Sequence, residues 1–85
     1  MADIVIYKTT SCPYCLMAGA LLKKKGLAYR EIDVTWDADL RREMEERSGR
    51  RTVPEIFIDD ACVGGYDDLA RIDASGELDR LLGLG

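Results

Sequence analysis

The alternation of apolar and polar positions predicts short strands and helices from the start of the chain. Residues 4–7 form an apolar, β-branched run that predicts a buried strand. Apolar residues then recur at helical spacing over residues 13–25, with a proline at the first helical position and Gly26 as the end signal. Residues 27–34 alternate enough to predict a second strand. Strand, helix and strand in this order predict a right-handed parallel unit.

The pattern continues with a charged helix and a hairpin. Asp37 or Asp39 is expected to cap a helix that ends near residue 48, where a glycine follows. Residues 55–58 and 61–63 are predicted strands, and the two aspartates between them predict a tight turn. These two strands are therefore expected to pair as an antiparallel hairpin.

A final helical region is expected after the paired glycines at 64–65. Its apolar residues recur at helical spacing, and the serine and glycine at 75–76 predict a break within it. The order is therefore βαβ, α, ββ, α, which is an α/β chain. At 85 residues the chain has room for one domain with one modest core, so we expect a single domain over residues 1–85.

Composition narrows the class of protein. A hydrophobic fraction of 47% and a charged fraction of 33% are typical of a globular protein. The net charge of −4 argues against a nucleic-acid partner. No apolar run approaches the roughly 18 residues that a membrane span requires, and the first residues do not look like a secretory leader. We therefore expect a cytosolic protein with no membrane contact.

The chain has three cysteines and no histidine. The missing imidazole excludes Cys-His catalysis and any zinc site that needs histidine, and no metal site is expected. An odd cysteine count in a reducing compartment favours redox-active thiols over structural disulfides. Cys62 is expected to be a core or partly covered residue, since free cysteines are often buried. Trp36 is expected to be a partly buried packing residue.

Residues 12–15 read Cys-Pro-Tyr-Cys and stand between the first strand and the first helix. With Cys12 at the helix N-cap, its sulfur faces free backbone N–H groups and the positive end of the helix, which favour the thiolate. Cys15 lies one turn further in and is more shielded. We therefore predict Cys12 as the nucleophile and Cys15 as the resolving thiol of a redox-active disulfide.

Together with two later segments, this motif resembles the dithiol glutaredoxins. Residues 51–54 read Arg-Thr-Val-Pro, similar to the family's Thr-Val-Pro loop, and residues 64–68 read Gly-Gly-Tyr-Asp-Asp, similar to its paired-glycine segment. The resemblance implies a thioredoxin fold, with a four-stranded mixed sheet flanked by helices. It also implies glutathione as the reductant and disulfide-bonded or glutathionylated proteins as substrates. The expected oligomeric state is a monomer.

The resemblance further implies a glutathione site on two sides of Cys12. A cis peptide bond before Pro54 would leave Val53, next to Thr52, available to pair with an extended ligand. Backbone N–H groups of Asp67 and Asp68 would hold the α-carboxylate of the γ-glutamyl end, while an aspartate side chain holds its ammonium group.

The cation for the glycine carboxylate of glutathione is less well defined by the resemblance. Arg51 is the first candidate. Lys8 is a weaker one, because the family's lysine commonly lies three residues before the first cysteine and Lys8 lies four before it. Arg41 on the second helix is a further candidate, and Tyr14 is expected to flank the ligand.

The predicted function is glutathione-dependent reduction of protein–glutathione mixed disulfides and protein disulfides. Two alternatives keep the fold. In one, Cys12 and glutathione hold an iron–sulfur cluster between two protomers. In the other, a flavoenzyme of the thioredoxin-reductase type replaces glutathione as the reductant.

Overall fold

The computed structural model describes residues 2–83. Within these residues the chain forms four strands and four helices. In order they are β1 (Ile4–Lys8), α1 (Pro13–Lys24), β2 (Arg30–Asp33), α2 (Ala38–Ser48), β3 (Glu55–Ile58), β4 (Ala61–Gly64), α3 (Tyr66–Ser75) and α4 (Glu77–Leu81). The predicted order of elements is confirmed, and the expected break in the last helical region separates α3 from α4 at Gly76.

The strands form one mixed sheet in the order β2-β1-β3-β4. β1 pairs in parallel with β2 and antiparallel with β3, which in turn pairs antiparallel with β4. The predicted parallel unit, hairpin and thioredoxin-type mixed sheet are therefore confirmed. β2 is shorter than the predicted strand over 27–34, because pairing with β1 is limited to Arg30–Asp33.

The core lies on both faces of the sheet, which explains the continuous apolar runs in the central strands. One face of β1 and β3 packs against α1, α3 and α4, and Ile6, Leu22 and Leu69 are fully buried there. The opposite face packs against α2, and Tyr7 and Met44 are fully buried on that side. A short loop leads from the carboxyl end of β1 into α1. The first turn of α1 therefore follows a strand that is packed on both faces.

The local signals explain where the elements begin and end. The Asp37 side chain accepts the Leu40 backbone N–H at 3.0 Å, so Asp37 rather than Asp39 caps α2, and Gly49 ends that helix with a positive φ of 73°. The turn between β3 and β4 places Asp59 and Asp60 at φ values of 49° and 69°. Two successive positive φ angles are typical of a type I′ hairpin turn, and aspartate tolerates them better than most residues.

Candidate functional site

Cys12 and Cys15 lie at the first turn of α1. Cys12 is the helix N-cap, its sulfur accepts the Cys15 backbone N–H at 3.1 Å, and Pro13 occupies the first helical turn. The two cysteines form a disulfide with Cα atoms 5.1 Å apart. Cys12 keeps 8% of its surface accessible and Cys15 3%. The predicted N-cap geometry and pairing are therefore present, and Cys12 is the more accessible residue of the two.

The loop before β3 lies directly beside the redox pair. The Val53–Pro54 peptide bond is cis, as the resemblance implies. The Cys12 Sγ lies 3.9 Å from the Val53 carbonyl oxygen. An incoming chain that reaches the Cys12 sulfur therefore also reaches the backbone of Val53.

A buried carboxylate supports this loop from below. Glu55 is fully buried at the start of β3, and its carboxylate accepts a hydrogen bond from Thr52 Oγ1 at 3.0 Å. Burial raises the pKa of Glu55, and the hydrogen bond from Thr52 opposes that shift. The Cys62 Sγ lies 3.9 Å from the other carboxylate oxygen. Glu55 thus connects the Thr52 side chain to the first residue of β3 through a hydrogen bond.

A cleft of about 210 Å³ opens beside the redox pair. It lies between the loop before β3 and the start of α3, and Tyr14 of α1 lines it together with Tyr66 of α3. The ring centroids of these two tyrosines are 6.2 Å apart. The cleft is lined by Tyr14, Arg50, Thr52, Val53, Pro54, Gly65, Tyr66, Asp67 and Asp68. Six of the residues predicted to bind glutathione therefore share one cleft.

The wall formed by the start of α3 is held by Asp68. Its carboxylate accepts the Gly65 backbone N–H at 3.0 Å and pairs with Arg50 at 3.1 Å and Arg71 at 3.2 Å. The hydrogen bond from Gly65, followed by the one from Arg50, lowers the pKa of Asp68. Gly64 has a φ of 116°, and a Cβ there would overlap the Asp68 carboxylate. The paired glycines therefore allow Asp68 to fold back onto the backbone.

None of the three predicted cations lines the cleft. The side chain of Arg51 is 89% exposed and its Nε lies 3.5 Å from Glu45 of α2. Lys8 pairs with Glu31 of β2 at 3.7 Å. Arg41, the third candidate, is also not among the lining residues. Arg50, which sequence reasoning did not select, is the one cation among the nine residues that line the cleft. Arg50 pairs with Asp68 at the start of α3 and Arg51 with Glu45 of α2, so the two neighbouring side chains diverge.

Two packing predictions are wrong. Trp36 is 95% exposed rather than partly buried. Cys62 is exposed rather than covered, because β4 is an edge strand of the sheet. Its thiol nevertheless lies against Glu55 in a partly buried contact, and this desolvation together with that carboxylate raises the pKa of Cys62. A raised pKa disfavours the reactive thiolate, which distinguishes Cys62 from the N-cap cysteine.

The glutaredoxin family model matches residues 4–63, which include the redox pair and the loop before β3. The chain belongs to the glutaredoxin family. It is 51% identical to glutaredoxin 3 of Escherichia coli K12 over 96% of this chain and 99% of that protein. A probable glutaredoxin of Synechocystis is 45% identical over 95% of this chain and 93% of its own length. As a glutaredoxin with a Cys12–Cys15 pair, the protein is a thiol–disulfide oxidoreductase.

Solved glutaredoxins share the fold of this one. The solution structure of the glutaredoxin from Brucella melitensis superimposes with a TM-score of 0.86 at 50% identity, covering 100% of this chain and 92% of that one. The crystal structure of a buckwheat glutaredoxin–glutathione complex superimposes with a TM-score of 0.87 at 27% identity, over 96% of this chain and 77% of that one.

Among residues 2–83, no group of three or more cysteine or acidic side chains is arranged to hold a metal ion. Within the same part of the chain, no helix has the length and apolar character needed to cross a bilayer.

Proposed function

We propose that this glutaredoxin uses glutathione to reduce protein–glutathione mixed disulfides and protein disulfides. The observation that carries the proposal is the cleft that opens beside the Cys12 sulfur. Its walls offer the backbone of Val53 on one side and the start of α3 on the other. A flexible peptide with charged ends fits such an arrangement, because the backbone binds its middle and the polar walls bind its termini.

The chemistry of the first reaction is a thiol–disulfide exchange in two steps. The Cys12 thiolate attacks the glutathione sulfur of a mixed disulfide, so a Cys12–glutathione disulfide forms and the protein leaves as a thiolate that takes up a proton. A second glutathione thiolate attacks that glutathione sulfur and releases the Cys12 thiolate and oxidised glutathione. The N-terminus of α1 stabilises Cys12 as the attacking and leaving thiolate.

Protein disulfides need the second cysteine. Attack by Cys12 on one sulfur of the substrate disulfide gives a mixed disulfide with the protein and releases one protein thiol. The Cys15 thiolate then attacks Cys12 Sγ, which releases the second protein thiol and leaves the Cys12–Cys15 disulfide. Two glutathione thiols reduce this disulfide and leave as oxidised glutathione.

In this proposal the ends of glutathione bind to different walls of the cleft. Val53 pairs with the peptide backbone of the ligand. The first N–H groups of α3, at Asp67 and Asp68, bind the α-carboxylate of the γ-glutamyl end. The Asp68 side chain is already held by Gly65 and Arg50. Asp67 is exposed and its side chain has no hydrogen bond or ion pair within residues 2–83, so Asp67 binds the ammonium group.

Arg50 is the cation we assign to a carboxylate of the ligand, in place of the predicted Arg51. Replacing Arg50 by alanine should raise the KM for a glutathione mixed disulfide by about tenfold, since a hydrogen bond to a charged group contributes about 1.5–3 kcal/mol. The matched variant Arg51→Ala should leave KM nearly unchanged. The reverse ranking would return the role to Arg51.

The deciding experiment compares two cysteine variants on two substrates. With glutathione, glutathione reductase and NADPH, Cys15→Ser should still reduce a glutathionylated peptide, because glutathione itself resolves the Cys12–glutathione disulfide. The same variant should fail on a protein disulfide, and Cys12→Ser should fail on both. Complete loss of both activities in Cys15→Ser would contradict the mechanism.

A second measurement identifies the reductant. Glutathione with glutathione reductase should reduce the oxidised protein faster than thioredoxin reductase does. Reduction by thioredoxin reductase alone would replace the proposal with the flavoenzyme alternative.

A further inference from the structure

Helix α1 is apolar on all sides over most of its length. Residues 13–22 contain no charged side chain. One face is buried in the core through Cys15, Ala18, Gly19 and Leu22. A helix that is apolar all round is normally covered all round, so the outer face of α1 requires a separate explanation.

The outer face carries an apolar stripe made of Pro13, Leu16, Met17 and Ala20. Their spacing of three and four residues places them on one side of the helix, opposite the buried face. All four are exposed, and Leu16 and Met17 have 71% and 45% of their surfaces accessible. Large apolar side chains grouped on the surface mark interaction sites more often than single ones do.

The apolar stripe begins beside the redox pair, and its other end lies next to the positively charged side chains of Lys23 and Lys24. Pro13 is the next residue after Cys12. At the other end Lys23 and Lys24 are exposed and make no ion pair within the described residues 2–83, whereas Lys25 is held by Asp73 at 2.8 Å and Asp79 at 3.0 Å. A molecule that covers the apolar stripe therefore has one end at the reactive sulfur and the other at two available cations.

We propose that the apolar stripe is the docking surface for the protein substrate, and that it selects substrates whose reactive cysteine is flanked by apolar and then acidic residues. The proposal rests on the proposed function, because it assigns a place to the protein half of a protein–glutathione disulfide. Glutathione occupies the cleft on the side of Tyr14, Val53 and Asp67. The departing protein segment extends along α1, where leucine-type side chains cover the apolar stripe and carboxylates meet Lys23 and Lys24.

The size of the apolar stripe favours a substrate segment over a second copy of this chain. A helix of twelve residues is about 18 Å long and about 10 Å wide, so one face offers on the order of 180 Å². A stable dimer buries about 800 Å² on each partner. A second copy would also cover Cys12 or bring two pairs of lysines together. A short segment that binds briefly fits the available area and the turnover of an enzyme.

The test measures kcat/KM for glutathionylated peptides that differ only in the residues beside the cysteine. One peptide carries leucines followed by glutamates, one carries serines followed by glutamates, and one carries leucines followed by lysines. Cysteine–glutathione disulfide, which has no flanking residues, serves as the basal substrate. With glutathione in excess, kcat/KM for the peptide reports the attack of Cys12 on the mixed disulfide.

We expect the wild-type protein to prefer the leucine–glutamate peptide by about tenfold over the serine–glutamate peptide, which is the effect of burying roughly one large apolar side chain. Leu16→Ser with Met17→Ser should remove this preference and leave the basal substrate unaffected. Lys23→Glu with Lys24→Glu should reverse the preference for glutamate over lysine, and added salt should weaken it. Leu81→Ser is the matched control, because Leu81 is 52% exposed but lies beside Ile58, at the end of β3 away from the redox pair.

Several outcomes would overturn the inference. If the wild-type protein has the same kcat/KM for all peptides, α1 does not select substrates by the residues beside their cysteine. An equal loss in Leu81→Ser would show a general effect of removing surface leucine. A dimer of the wild-type protein in sedimentation that is absent from Leu16→Ser with Met17→Ser would assign the apolar stripe to a second copy. Failure on cysteine–glutathione disulfide would contradict the proposed function and the docking surface with it.

Discussion

Cys12 links the local conformation of the chain to its chemistry. The sulfur that caps α1 by accepting the Cys15 N–H is also the sulfur that faces the Val53 carbonyl. The same backbone N–H group that would be left without a partner at the helix start thus supports a negative charge on sulfur. Cys62 shows the opposite case, because desolvation of its thiol and then the Glu55 carboxylate beside it raise its pKa and disfavour the thiolate.

Asp67 and Asp68 are neighbours with different expected roles. Asp67→Asn should raise the KM for a glutathione mixed disulfide by about tenfold, because it removes a charge-assisted hydrogen bond to the ammonium group, and it should leave thermal stability unchanged. Asp68→Asn should lower thermal stability, because it weakens the contacts to Gly65 and Arg50. Steady-state kinetics and thermal unfolding of both variants check this division. Equal KM values for wild-type and Asp67→Asn proteins would argue against a bound ammonium group at Asp67.

Glu55 gives a pH-dependent prediction. Its pKa is raised in the folded protein, so the folded state holds the proton more tightly than the unfolded state. The protonated carboxyl group therefore contributes its full stabilisation at low pH, and that contribution is lost as pH rises from about 4.3, the unfolded value, through the folded pKa. The free energy of unfolding of Glu55→Gln, relative to that of the wild-type protein, should rise over this pH window. Above the window the difference between the two proteins should be constant. Denaturant unfolding of the two oxidised proteins across pH measures the difference, and a difference that does not change with pH would contradict the prediction.

At the scale of elements, α2 depends on few contacts with the sheet. Its sequence is mostly charged, and Met44 is the one residue of the helix that is fully buried. A polar contact supplements this packing. The Tyr7 hydroxyl of β1 donates to Glu43 at 2.8 Å and accepts from Arg47 at 2.7 Å, while the Arg47 guanidinium lies 4.2 Å from the Phe57 ring centroid. α2 is therefore held to the sheet by the apolar packing of Met44 and the partly buried Leu40, and by the contacts of Arg47 and Glu43 with Tyr7 and Phe57.

Tyr7→Phe tests this attachment of α2. Removing the hydroxyl should lower the free energy of unfolding by about 1 kcal/mol, the typical net contribution of an intramolecular hydrogen bond. Hydrogen exchange should speed up in α2 more than in α1. Tyr14→Phe is the control. Tyr14 is 58% exposed, so the loss of its hydroxyl group affects no buried contact. An unchanged exchange rate in α2 would show that apolar packing alone holds this helix to the sheet.

At the scale of the whole molecule, the core joins the C-terminal helices to the redox unit. Leu69, Ile72 and Leu78 of α3 and α4 share one apolar cluster with Ile6 of β1 and Leu22 of α1. Lys25 adds ion pairs from the end of α1 to Asp73 and Asp79, which are surface contacts of small effect. We therefore propose that the chain folds as one cooperative domain.

Leu78→Ala tests this cooperativity. Leu78 is fully buried on α4, so its truncation should lower the free energy of unfolding by about 2–5 kcal/mol. Far-UV circular dichroism and the near-UV circular dichroism of the tyrosines, among which Tyr7 is fully buried on the opposite face of the sheet, should report the same single transition. Two separate transitions would show that α3 and α4 unfold independently of the rest.

The local features of this protein were determined by the sequence. Caps, turn residues and periodicity act within a few residues of each other, so they predicted the helices, the hairpin, the break at Gly76 and the N-cap position of Cys12. The resemblance to glutaredoxins added the cis bond before Pro54, which a lone proline would not have indicated.

Features that depend on direction and on distant partners were decided by the tertiary structure. Arg50 and Arg51 are alike in sequence, and only the path of the loop turns Arg50 toward Asp68 and Arg51 toward Glu45. Trp36 was expected to be partly buried, but it is 95% exposed, and the neighbouring Thr35 turns toward Thr10, whose backbone N–H it accepts at 2.7 Å. Exposure and side-chain direction are set by the elements that pack nearby, and these come from distant parts of the chain.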